Sequence, residues 1–217
     1  IRVTCQPGDP DTYLGFSFDD SAGPYSNLFA GGWCIDIDRD IYCNRNFHVD
    51  SYSSYEPVRP GAVDKPQNLD LVNWLINNHP IGSNVYIPSC YSGALGWEEY
   101  QEAVWTLVDN TAPSDLEAQD CIVDWLVDQA ETNGEGYELS CDDPDAKIGV
   151  ILVVDDGVGT ITHQVVLAEI PLTDIDGVCE CTPEPEPVPD AQMCEGDHDI
   201  LSHNTEFEIR VTCQPGD

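Results

Sequence analysis

Residues 1–9 read IRVTCQPGD, and residues 209–217 read IRVTCQPGD again. A nine-residue identity does not arise by chance in a chain of this length. It marks either one period of a near-identical repeat or an overlap introduced by design, and the repeat is the expectation, since arrays of large modules are common in surface proteins. The period is 208 (209 − 1). The repeat fixes the cysteine arithmetic. Of the ten cysteines, Cys213 is the next copy of Cys5, which leaves nine per period (10 − 1), an odd number. One sulfur per module therefore lies outside the intramodular disulfides, or one bond joins neighbouring modules.

Ten cysteines are too many for a reducing cytosol, and no pair of Cys-x-x-Cys clusters points to zinc. The expectation is a disulfide framework drawn from Cys5, Cys43, Cys90, Cys121, Cys141, Cys179, Cys181, Cys194 and Cys213, in an extracellular setting such as a cell surface or biofilm matrix. Charge narrows the partners. With 41 acidic against 7 basic residues the formal net charge is −34, which repels nucleic acid and anionic membranes and attracts cations, calcium first among those outside cells. No apolar run is long enough to insert into a bilayer. Hydrophobic residues make up 41% of the chain, enough for a packed core.

The stretch Thr182-Pro-Glu-Pro-Glu-Pro-Val-Pro189 reads as an extended, semi-rigid acidic spacer. Residues 1–181 then form one α+β module lacking its N-terminal segment, 182–189 the linker, and 190–217 the N-terminal segment of the next repeat. Alternatively, residues 191–217 pack as a strand on the preceding module, a form of strand donation. Three helices are predicted within an antiparallel α+β fold. Gln67–Asn78 follows Pro66, Trp97–Asp109 places Tyr100, Val104, Leu107 and Val108 on one face, and Ser114–Asn133, with an apolar stripe of Leu116, Ile122, Trp125, Leu126 and Ala130, is opened by a Ser114/Glu117 capping box and stopped at Gly134. Lys147–Val154 is continuously apolar, as in a strand covered on both faces, and Asp155-Asp156-Gly157 turns it toward Thr162–Ile170. Tyr13–Phe18, Gly32–Tyr42 and the alternating Phe207–Cys213 also read as strands.

Two segments carry chemistry together: Gly32-Trp-Cys-Ile-Asp36 on a strand and Tyr100-Gln-Glu-Ala-Val-Trp105 on a helix. The pair resembles the thioester domains of Gram-positive surface adhesins, in which a cysteine in an aromatic-Cys-apolar motif is joined to a glutamine in an apolar-Gln-x-x-apolar-aromatic motif. The intervening Tyr52-Ser-Ser-Tyr55 and the segment from Asn68 to Ile76 also look like related surface modules, so the resemblance covers about residues 30–110. It implies an internal thioester between Cys34 and Gln101 and, in the adhesin setting, acylation of an amine on a partner surface. Setting Cys34 aside leaves eight cysteines per module (9 − 1), an even number. Three states of Cys34 stay open: the thioester, a disulfide for which Cys43 is near in sequence, and a buried free thiol. Repetition and cysteine richness depart from that family, and they make a structural cross-link as apt as a reactive one.

Asp36, Asp38 and Asp40 alternate with Ile35, Ile37 and Arg39. On an extended strand their carboxylates share a face about 6.5–7 Å apart, a candidate calcium ladder or a solvated acidic face. The loops Asp19-Asp20 and Asp142-Asp143-Asp145 are candidates to complete it. The five histidines lack metal-ligand spacing, and no nucleophile elbow, Walker loop or dinucleotide fingerprint is present. The expectation is a non-enzymatic structural repeat unit of an extracellular bacterial filament or biofilm-matrix protein, contacting neighbouring copies of itself. The alternative is a covalent adhesin.

Overall fold

The apolar run 147–154 becomes the strand around which the two cores are built. The structure, a computed structural model, describes residues 1–5, 13–18, 28–110, 116–155 and 159–175. In chain order these form β1 (Arg2–Cys5), β2 (Leu14–Ser17), β3 (Phe29–Cys34), β4 (Arg45–Asn46), β5 (Val49–Ser53), α1 (Leu69–Asn78), β6 (Asn84–Ile87), β7 (Tyr91–Ala94), α2 (Trp97–Val108), α3 (Asp120–Asn133), β8 (Lys147–Val154) and β9 (Val166–Pro171). Seven strands make one antiparallel sheet in the order β4-β1-β2-β3-β9-β8-β5, and β6 and β7 form a separate hairpin. The class is α+β with three α-helices among the described residues.

Both faces of β8 are covered, which is why its sequence does not alternate in polarity. Ile151 and Val153 meet Trp33, Leu167 and the helical residues Leu69, Val72, Leu75, Leu107 and Leu126. Ile148, Val150 and Leu152 join Val3, Phe16, Val166 and Ala168 in a second cluster. Each such aliphatic side chain, fully buried, contributes about 1.5–3 kcal/mol. The β8–β9 pairing runs from Lys147↔Pro171 to Leu152↔Val166, so β9 opens four residues later than the predicted Thr162. Among the described residues no helix is long and apolar enough to cross a membrane.

Boundaries elsewhere also moved. The helix predicted from Gln67 begins with a 3-10 turn, Pro66–Asn68, before α1 proper. The third helix starts not at the capping box but at Asp120, with extended Gln119 as its N-cap and no side-chain cap. Leu116 packs against the second core cluster, while the α3 stripe of Ile122, Val123, Leu126 and Ala130 packs in the first, so Leu116 does not continue that stripe. The strand predicted over Gly32–Tyr42 instead spans Phe29–Cys34. Ser114, the spacer at 182–189, the segment 190–217 with its strand at 207–213, the side chain of Cys5, and Cys179, Cys181, Cys194 and Cys213 lie outside the described residues.

Candidate functional site around Cys34

Cys34 is the last residue of β3, opposite Val166 of β9. Two positions earlier, Gly32 lets the three strands close up. A Cβ there would collide with the Leu167 carbonyl oxygen and stand 2.6 Å from Phe16 Cε2 and 3.0 Å from Ala168 Cα. The last β2–β3 pair is Leu14↔Gly32. Beyond it, the edge of Cys34 that faces away from β9 is taken by a side chain of α2.

That side chain is Gln101. The Cys34 N–H donates to Gln101 Oε1 at 2.9 Å, and Gln101 Nε2 donates to the Cys34 carbonyl at 2.7 Å. The carboxamide thus makes the pair of bonds that a neighbouring strand's peptide would make. The two residues preceding these also meet: Trp33 stacks on Tyr100 with ring centroids 4.5 Å apart. Trp33 Nε1 donates to Glu169 Oε1 at 2.6 Å, and Lys147 Nζ to Glu169 Oε2 at 3.0 Å, which fixes the indole. Cys34 is 1% exposed and Gln101 0%, so solvent does not compete for these bonds.

The sulfur has its own partner. Cys34 Sγ donates to Gln164 Oε1 at 2.9 Å, while Gln164 Nε2 donates to the Asp36 carbonyl at 2.6 Å. Burial, and after it the Asp36 carboxylate, hold the Cys34 thiol well above its ordinary pKa, so it is a neutral S–H at neutral pH. Tyr13, half-buried, is raised by burial and then by Cys34. Its ring stacks on Trp97 at 5.2 Å and meets Trp105 edge-on at 6.5 Å. Trp105 Nε1 and the Tyr100 hydroxyl are buried without a hydrogen-bond partner. Neither Gln164 nor Tyr13 was among the sequence candidates. Gln164 closes the polar stretch Thr162-His163-Gln164 ahead of the apolar run Val165–Ala168.

The disulfide with Cys43 is not formed. Cys34 is a free thiol, whereas Cys43 and Cys141 are each in a disulfide and Cys90 pairs with Cys121. His163, beside Gln164 in sequence, packs edge-on against Tyr42 and Phe47.

The acidic series is not a ladder, because the strand that would align it ends at Cys34. Asp36 turns inward, accepting from Arg39 at 2.6 Å, from the Asp38 N–H at 3.1 Å and from the Val165 N–H at 3.3 Å. Asp38 and Asp40 are exposed. Asp142, Asp143 and Asp145 sit in a turn held by bonds from the Asp142 N–H to Ser140 Oγ and from the Asp145 N–H to Asp143 Oδ1. Asp19 and Asp20 lie outside the described residues. Among the described residues no group of three or more histidine, cysteine or acidic side chains converges to hold a metal.

Chemically, the arrangement sets a thiol and a primary carboxamide on one backbone. The N–H that bonds Gln101 Oε1 polarises the carbonyl and would stabilise an oxyanion at that oxygen. The thiol is not activated by ionisation, so any advantage comes from the backbone bonds that hold the carboxamide on the same residue. Comparison with models of known protein families, with characterised proteins and with solved structures finds no match for this chain.

Proposed function

We propose that this chain is a structural repeat unit of an extracellular filament or surface matrix, in which Cys34 and Gln101 condense to an internal thioester. The observation that carries the reading is the seating of the Gln101 carboxamide on the Cys34 backbone across 67 residues of chain. In the condensation Sγ bonds to Gln101 Cδ, the Cδ–Nε2 bond breaks, and the thiol proton leaves with the nitrogen as ammonia. The product ties β3 to α2 in the middle of the buried core. This is a stoichiometric cross-link, and no turnover is expected of it.

Repetition supports the array. The segment IRVTCQPGD at the start of the chain supplies β1, which lies between β2 and β4 with Val3 fully buried. The second copy, at 209–217, has the residues to supply the same strand of a following module. A Cys34 kept out of the disulfides, as it is here, would leave an even number of cysteines per period for pairing.

A second reading, a covalent adhesin that captures an amine, draws on one observation: half-buried Tyr13 packs against the core cluster that holds Cys34. Non-reduced, denaturing mass spectrometry tests both. The expected result is a mass short by one ammonia, a peptide linking Cys34 to Gln101, and no loss in Gln101→Ala. Uptake of methylamine by the folded protein points to the adhesin, and its absence to the buried cross-link. A full-mass protein with an alkylatable Cys34 removes the thioester altogether.

A further inference from the structure

Gln164 touches the reacting sulfur and has no part in the bond just described. An amide oxygen can only accept, so its 2.9 Å contact with Cys34 Sγ requires the sulfur to carry hydrogen. The amide cannot readily turn over, because its Nε2 is committed to the Asp36 carbonyl at 2.6 Å and the Gln164 N–H to the Asp40 carbonyl at 3.2 Å. The residue is 8% exposed, which leaves its oxygen little access to water as a substitute partner.

A thioester sulfur has no hydrogen. Closing the Cys34–Gln101 bond therefore removes the donor from Gln164 and leaves a buried acceptor unsatisfied, whereas reopening restores it. We infer that Gln164 is the residue that sets the balance between the closed thioester and the open thiol, by bonding the open form alone. This rests on the thioester reading of Cys34 and Gln101. Closing forms Sγ–Cδ, breaks Cδ–Nε2 and sends the thiol proton out with ammonia. Reopening by ammonia reverses each of those changes, and the returning S–H is captured by Gln164. The residue favours an openable link over a permanent one.

The test is a titration of the folded protein with ammonium, reading the fraction of thioester by peptide mass. Gln164→Met keeps the length of the side chain and removes the acceptor, and Gln164→Leu replaces it should the first variant not fold. The bond lost to Asp36 is lost equally in both states and cancels. The ammonium concentration that opens half of the molecules is expected to rise about tenfold in the variant, the equivalent of ~1.4 kcal/mol. A second reading avoids the equilibrium. In Gln101→Ala, where the thiol stays free, the S–H stretching band that Cys34→Ala abolishes is expected at the low frequency of a strongly bonded thiol, and Gln164→Met moves it up. An unchanged or lowered half-opening point in a protein that does form the thioester overturns the role of Gln164 and spares the cross-link. An S–H band at the frequency of an unbonded thiol overturns it too. A wild-type protein that never loses ammonia, or that links Cys34 to Gln164 itself, removes the Cys34–Gln101 thioester and this inference with it.

Discussion

Cys34 and Gln101 meet because Trp33 and Tyr100, one residue before each, are stacked at 4.5 Å with Trp33 anchored on Glu169. Two substitutions separate the stack from the polar atoms it carries. The Tyr100 hydroxyl is buried with no partner, and burial followed by Glu169 drives its pKa well up. Tyr100→Phe keeps the ring and discards the orphan donor, so it is expected to stabilise the fold by up to about 1 kcal/mol, read as a raised denaturant midpoint. Lower stability in Tyr100→Phe would mean that the hydroxyl is bonded after all. Gly32→Ala goes the other way. Its Cβ meets backbone of β9 and the Phe16 ring, rigid neighbours both, and the expected loss is about 1–3 kcal/mol with a smaller fraction of thioester. The motif residues were legible because their types are unusual together: an aromatic beside a cysteine on a strand, a glutamine on an apolar helix face. Gln164 was not, since the last polar residue ahead of an apolar run has no signature until the sheet brings β9 beside β3.

Helices were read from their 3.6-residue period, and α2 came within one residue of its predicted end. What the period cannot see is which core a residue joins. Leu116 continues the α3 pattern on paper but packs in the other cluster, and the strand through Cys34 stops where Asp36 turns in to Arg39 and the Val165 N–H. Local pattern gave the elements; long-range contacts set their ends. The α1–α3 contact shows the same dependence. His79, the C-cap of α1, packs its ring edge-on to Trp74 at 5.2 Å and meets Trp125 of α3 at 4.9 Å. Burial lowers its pKa from 6.5. A base whose folded pKa is depressed contributes stability that is present above the unfolded value and lost as pH falls through the folded one. The difference in unfolding free energy between wild type and His79→Gln is therefore expected to be largest above about pH 7 and to shrink on acidification below about 6.5. A difference that is flat or grows toward acid would show that the ring is not desolvated at this joint.

For the whole molecule the dominant quantity is the net charge of −34. Among the described residues Arg39, Arg59 and Lys147 form the ion pairs Arg39–Asp36, Arg59–Asp155, Arg59–Asp50 and Lys147–Glu169, while Arg45 lies over the Tyr42 ring and Lys65 Nζ donates to the Thr106 carbonyl. Where α2 and α3 run together, the carboxylates of Glu102, Asp120, Asp124, Asp128 and Glu131 line one cleft. Helix α2 is thus held from inside by Gln101 on Cys34 and pushed from outside by the next residue, Glu102. Burial, then Asp120 and Glu99, raise the Glu102 pKa. A carboxyl raised in the folded state contributes stability below its unfolded value, and that contribution is lost as pH rises through the folded value, so at neutral pH Glu102 works against the fold. Glu102→Gln is expected to stabilise the protein at pH 7 by a few tenths of a kcal/mol, the scale of like-charge pairs on a helix. The repulsion crosses solvent and is screened, over about 30 Å at 0.01 M salt but only about 3 Å at 1 M. Thermal midpoints of both proteins measured across that range are expected to rise with salt and to draw closer together. A gain from Glu102→Gln that persists undiminished at 1 M would place its origin in burial of the carboxylate, which salt does not screen, rather than in repulsion from Asp120 and Glu99.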